Sequence, residues 1–260
     1  MIYKIGKSKR IIIQIFAALL LLPIVSGCKS KSTPELDIVE SFMREHPDSA
    51  LYHIYKINPE NFNEAQFARY SLLKSQALYR NEIELTSDSI IRPAVEYYSE
   101  HGSDYEKMLM HYYYGEILSC ALKYNEAIIE LEKGAHYGRK IKEEFYFPRI
   151  LICLGMAYSF AFDAEDSFAP LREAIEIYKK TDEPIGRYYA IFELAEAYEC
   201  SMQRDSAKII FKELLESNDS VAVSMRLYTQ YGLGVCLYKD SLYKESLEML
   251  EPYYAKYPDK

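Results

Sequence analysis

The residue types that do chemistry are present but scattered. The five histidines, His46, His53, His101, His111 and His136, show no metal spacing such as H-E-x-x-H. His111 stands beside three tyrosines and reads as a packed histidine rather than a ligand. Cys120, Cys153, Cys200 and Cys236 form no C-x-x-C pair and no Cys/His cluster, so neither zinc nor dithiol redox chemistry is indicated. A Gly-rich phosphate loop and a G-x-S-x-G elbow are both missing. Adjacent acids such as Glu143-Glu144 and Asp182-Glu183 read as surface charge. Catalysis needs convergent groups. Catalytic residues, metal ligands and cofactors are therefore expected to be none, and the chain is not expected to be an enzyme.

A fifth cysteine, Cys28, has a different setting. Lys4, Lys7, Lys9 and Arg10 form a basic head without an acid, and Ile11 to Val25 is apolar except at Gln14 and Pro23. Val25-Ser26-Gly27-Cys28 then supplies small residues, and Lys-Ser-Lys-Ser-Thr follows. A basic head, a short apolar run and small residues at a cut site make a secretory signal. The run of 15 residues is short of the ~20 that span a bilayer. Removing 1–27 leaves 27 Lys and Arg against 39 Asp and Glu, a formal charge of −12. Nucleic acid and anionic lipid demand a basic face, so neither is an expected partner.

The rest of the chain repeats. Small residues fall at Ser75, Gly115, Gly155, Ala195 and Gly234, in steps of 40, 40, 40 and 39. Three positions after each lies Leu78, Leu118, Tyr158, Tyr198 or Leu237. Twelve after each comes Ser87, Ala127, Ser167, Ala207 or Ser246, and four further on Ile91, Leu131, Leu171, Phe211 or Leu250. Self-similarity at this period marks a solenoid of helical hairpins, in which a small residue lets the partner helix approach closely. Pro93, Pro170 and Pro252 fall in second-helix regions, so those helices must start late or kink. The four repeat cysteines read as small buried apolar residues, with a disulfide between neighbouring repeats left open. Ahead of the array, Thr33-Pro34-Glu35 starts a helix, His46-Pro47-Asp48-Ser49-Ala50 ends it and starts another, and a longer helix spans about Asn63 to Arg80.

The array resembles the tetratricopeptide repeat (TPR). Tyr114-Gly115, Leu154-Gly155, Leu194-Ala195 and Leu233-Gly234 match the apolar-small pair of its helix A, the series Ser87, Ala127, Ser167, Ala207 and Ser246 matches the small residue that opens helix B, and Tyr124 and Glu126, like Tyr243 and Glu245, match the approach to it. Here the period is longer than the usual ~34. The resemblance implies an all-α, right-handed superhelical solenoid of TPR-like helix-turn-helix repeats with period about 40. Val25-Ser26-Gly27-Cys28 resembles a bacterial lipobox, which implies a diacylglyceryl group on the Cys28 sulfur and acyl chains such as palmitate. Each buried methylene contributes ~0.8 kcal/mol, and several chains give a stable anchor. His46-Pro-Asp-Ser-Ala-Leu51, Ala68-Arg-Tyr-Ser-Leu-Leu73 and Thr86-Ser-Asp-Ser-Ile-Ile91 are similar to the start of TPR lipoproteins of the Bacteroidetes type. The expected organisation is a signal peptide at 1–27, a lipidated cysteine and tether at 28–33, an N-terminal helical hairpin at 34–61 and the repeat array at 62–260. Residues 29–33 carry no acidic run, so the expected location is the cell envelope, lipid-anchored at the outer membrane and facing the periplasm.

By the same resemblance, helix A lines the inner surface. The positions that could hold a peptide are Arg69, Tyr79, Tyr112, Glu116, Arg149, Met156, Tyr189, Phe192, Glu196, Glu199, Tyr228, Tyr231 and Tyr238. Aromatics mixed with a few charges are the composition of interfaces. Glu116, Glu196 and Glu199 could read a basic group. Helical periodicity alone does not separate a groove position from a packed one. The expected function is a membrane-anchored scaffold for an unknown protein or peptide. A sensory or nutrient-uptake lipoprotein and an outer-membrane assembly adaptor are the alternatives. The last helix carries Leu247, Met249, Leu250, Tyr253 and Tyr254, an end surface that a second copy could cover.

Overall fold

The computed structural model describes residues 33–181 and 183–258. The signal peptide and Cys28 lie outside the described residues. From Pro34 onward the chain is one compact unit, and the described residues form helices with no strand.

A hairpin of α1 (Pro34–Phe42) and α2 (Pro47–Ile54) comes first. Leu36, Val39, Ala50 and Ile54 share a core with Tyr70, Leu73 and Ala77 of α3 (Glu64–Arg80). Helix α3 starts where Asn63 and Gln66 exchange side-chain and backbone bonds, satisfying two donors of the first turn. It pairs with α4 (Arg92–His101). The next hairpins are α5 (Asp104–Cys120) with α6 (Tyr124–Ile141), α7 (Phe147–Phe160) with α8 (Phe168–Tyr178), and α9 (Pro184–Cys200) with α10 (Arg204–Glu216). After a short α11 (Ser220–Ser224), α12 (Arg226–Lys239) pairs with α13 (Tyr243–Lys256).

The sequence period reappears in both packing and backbone. A Cβ placed on Gly115 would lie 2.6 Å from Leu131 Cγ, on Gly155 2.5 Å from Leu171 Cγ, and on Gly234 2.7 Å from Leu250 Cγ. In each case the small residue of one helix receives the apolar residue sixteen positions on. The turns repeat too. Glu82, Leu122, Phe162, Met202 and Ser241 all have left-handed φ, between 58° and 67°. The amide that follows each of them donates to the carbonyl of Leu78, Leu118, Tyr158, Tyr198 or Leu237. That six-to-one bond closes the helix end. None of the five is glycine, so each turn accepts a conformation that L-residues disfavour.

Three expectations need correction. Ser87 does not open the first unit's second helix: it is exposed and outside any helix, and α4 begins only at Arg92. Thr86-Ser87-Asp88-Ser89 offers side-chain partners that compete with a helix, and Pro93 fits only a first turn. Ser167 lies in a 3-10 turn (Ala164–Ser167) that precedes α8 and places Pro170 near its start. Cys200 is exposed rather than buried, while Cys236 is buried and Cys120 and Cys153 are half-buried; all four are free thiols.

Gly155→Ala should lower stability by about 1–3 kcal/mol, because the overpacked contact outweighs the better helix propensity of alanine. Urea unfolding of Gly155→Ala, Leu171→Ala and the double variant should show a coupling of opposite sign, the cavity of one relieving the clash of the other. Simple additivity would place the cost elsewhere.

Candidate functional site

A cleft of about 710 Å³ opens along the first helices of four successive units, α3, α5, α7 and α9. Its floor is aromatic. Tyr112 and Tyr113 of α5 are buried with ring centroids 4.6 Å apart. Tyr79 of α3 meets them edge-on at 5.9 Å and 5.6 Å. Such edge-to-face contacts fix ring orientation beyond simple burial.

Glu116 is the carboxylate of that floor. Burial pushes its pKa up, and hydrogen bonds from the Tyr79 hydroxyl and the Cys153 thiol partly offset this. No cation contributes to its environment. Burial also raises the Cys153 thiol well above its ordinary value, with Glu116 adding to the rise, so it stays protonated and unreactive. On α9 stand Glu193 and Glu196. Both are pushed up to about 7, first by burial and then by a neighbouring carboxylate, Glu196 acting on Glu193 and Glu199 on Glu196. Lys239 eases Glu196 while pairing with Glu199 at 2.6 Å.

Two arginines border the cleft as well. Arg149 lies 3.8 Å from the centroid of the Phe145 ring, donates to the Phe145 carbonyl and sits 4.0 Å from Glu183. Arg80, at the end of α3, donates to the Arg44 carbonyl at 2.9 Å. Arg44 in turn pairs with Glu143 at 3.3 Å and covers the Phe145 ring at 4.5 Å. The Glu143 carboxylate also accepts from the amides of Phe145, Tyr146 and Phe147 at the head of α7. One staple thus joins the first hairpin to the third repeat and holds Arg80 and Tyr146 at the cleft wall.

The thirteen positions singled out from the sequence divide. Tyr79, Tyr112, Glu116, Arg149, Met156 and Tyr189 border the cleft. The other seven do not. Arg69 is bound to Asp37 at 2.7 Å and to Glu40, tying α1 to α3. Phe192 packs on Tyr188 at 6.0 Å and Phe211 at 5.6 Å. Glu196 and Glu199 lie one and two turns further along α9 than Glu193. Tyr228 and Tyr231 join Tyr253 in an aromatic cluster at the last hairpin, and Tyr238 meets Tyr243 edge-on at 5.6 Å. The cleft stops short of α12 because Tyr188 of α9 bonds Thr229 of α12 at 2.6 Å, drawing the two helices together. Arg80, Tyr113, Glu193 and Tyr178 were not among those positions. Glu193 was readable as the first of three acids spaced by three. Tyr178 was not, because it ends a second helix.

No family model and no curated protein matches the chain. Solved structures do. A Rap protein in complex with Competence and Sporulation Factor is 16% identical with a TM-score of 0.67, over 85% of this chain and 64% of that one. The apo form of RapI is 15% identical with a TM-score of 0.66, over 88% and 67%. A Podosopora anserina kinesin light chain with nearly identical TPR-like repeats is 14% identical with a TM-score of 0.54, over 76% and 95%. The chain spans a little under two thirds of the first Rap protein's length. These likenesses define the class: an all-helical solenoid of the TPR type.

The raised carboxyls give a pH dependence of definite sign. Glu193 and Glu196 hold protons in the folded chain that they release when unfolded, between an ordinary pKa of 4.5 and about 7. Stability therefore falls as pH rises through that window and stays lower above it. A Glu193→Gln/Glu196→Gln variant should exceed the parent by about 1 kcal/mol at pH 8, both side chains keeping some water, and should match it near pH 4.5. A pH-independent difference would contradict the assignment.

Proposed function

We propose that the protein is a lipid-anchored scaffold of the cell envelope whose cleft holds a segment of a protein or peptide. The observation that carries this reading is the cleft itself. It crosses four first helices, has a floor of tyrosines, and is bordered by half-buried carboxyl groups at Glu116 and Glu193 with no cation paired to them among the described residues. An extended chain with an aromatic or aliphatic anchor and a basic group complements such a surface. The likeness to a Rap protein solved with Competence and Sporulation Factor is in keeping with a ligand seated in this fold. The lipobox-like Val25-Ser26-Gly27-Cys28 supports anchoring, and the acidic balance of 28–260 disfavours nucleic acid. The cleft volume falls in the range of small-molecule pockets. That favours a second reading, a ligand-binding lipoprotein in regulation or uptake.

Tyr189 is 42% exposed and Met156 half-buried at the cleft edge, so both can be shortened at small cost to the fold. Met156→Ala/Tyr189→Ala should lower retention of a pooled random-peptide library by about tenfold, with the thermal midpoint nearly kept. Unchanged retention would remove the cleft from the function. Cys28→Ala should move the protein from the detergent phase to the aqueous phase on phase separation. Persistence in the detergent phase would contradict the lipid anchor.

A further inference from the structure

The turns between the two helices of each hairpin all lie at the far ends of the first helices, and so along one edge of the array. Their left-handed position is one that glycine or asparagine enters at little cost. In three successive turns it holds a large apolar residue instead: Leu122 at φ 59°, Phe162 at 67° and Met202 at 63°. These side chains are 72%, 95% and 76% exposed, and none borders the cleft. Phe160, also exposed, stacks on Tyr124 of the preceding turn at 5.2 Å and so joins two of the tips. Leu242 and Tyr243 carry the row on to the last turn. The opposite edge is polar, with loops that read Gly102-Ser103, Lys142-Glu143-Glu144, Lys179-Lys180 and Ser217-Asn218-Asp219. Single exposed apolar residues are ordinary on a surface, but a row of them on one edge marks a contact.

The fold gains little from side chains this exposed, so their gain lies outside it. Tips one repeat apart protrude rather than enclose, a shape that suits a fluid apolar layer better than the closely matched core of a protein interface. Six residues, Cys28 to Thr33, separate the lipobox-like cysteine from α1, a reach of about 20 Å at full extension. A chain anchored at Cys28 is thereby kept at a bilayer surface. Asp163, Glu165, Asp166 and Asp205 are exposed in the segments next to the tips, and Lys123 and Arg204, the latter tied to Asp240 at 2.6 Å, do not balance them. Such a charge balance repels an anionic headgroup. We propose that the turn edge rests on a zwitterionic lipid surface, with Leu122, Phe162 and Met202 among the upper acyl chains. This rests on the lipid anchor at Cys28, and it adds which face of the array meets the membrane.

The full-length lipidated protein in phosphatidylcholine vesicles tests it, with a photoreactive phenylalanine analogue at Phe162 or, on the opposite edge, at Lys180. On illumination the Phe162 probe should gain the mass of one lipid, and the Lys180 probe should not. Leu122→Asn/Met202→Asn in the Phe162-probe protein should lower that adduct about tenfold. The same change should leave the thermal midpoint at or above the parent's, because asparagine accepts the left-handed turn. Protein that floats with the vesicles but gives no lipid adduct at Phe162 would overturn the docking edge and keep the anchor. Protein left behind by the vesicles would overturn the anchor and the docking edge together. An adduct at twice the mass of the chain would give the row to a second copy instead. Equal adducts at Phe162 and Lys180, or an adduct undiminished by the two Asn changes, would trace the labelling to the tether alone and overturn the docking edge.

Discussion

Everything in this molecule depends on how closely the two helices of a hairpin approach. Gly115, Gly155 and Gly234 each leave space that a leucine sixteen residues later fills. Ala195 and Phe211 meet in one core as the same pair in a different volume. That contact fixes the distance within a hairpin, and the left-handed residue at the turn fixes the angle at which the second helix returns. Repeating both at a forty-residue step sets every first helix on one face. The cleft follows as a consequence: four first helices presented side by side.

The electrostatics of the cleft follow from the same geometry. Stacking helices sideways brings Glu193 and Glu196 of α9 into a partly dry strip, where burial first and a neighbouring carboxylate second push both up to about 7. It also brings Arg149 over Phe145, and the Arg44 staple holds Arg80 at the cleft border. Acid and base thus border one surface, with Arg149 set against Glu183 while Glu116 and Glu193 have no cation partner among the described residues.

The repeat was legible because it rests on residue size at fixed spacing, which the chain states outright. Proline positions told correctly that α4 starts late. What the sequence did not show was where the groove ends. Phe192 and Tyr231 carry the same pattern as Tyr112 and Tyr189, yet the Tyr188–Thr229 bond closes the array around Phe192 and the last tyrosines stack on one another. Arg69 looked like a lining residue, and only the fold shows Asp37 and Glu40 within reach of it. Tyr178 was invisible because periodicity assigns second helices to the outer layer, while its helix end tips the ring inward beside Gly186.

In-cell photocrosslinking tests the account most directly, with a photoreactive phenylalanine analogue placed at Tyr189 on the cleft edge or at Tyr254 on the last helix. A discrete adduct from the cleft probe, lost when Glu116 and Glu193 are both changed to Gln, is the predicted result. No adduct at Tyr189, with crosslinks only at Tyr254 and at twice the mass of the chain, would contradict it. The cleft would then be a feature of packing, and the working surface would be the end of the solenoid.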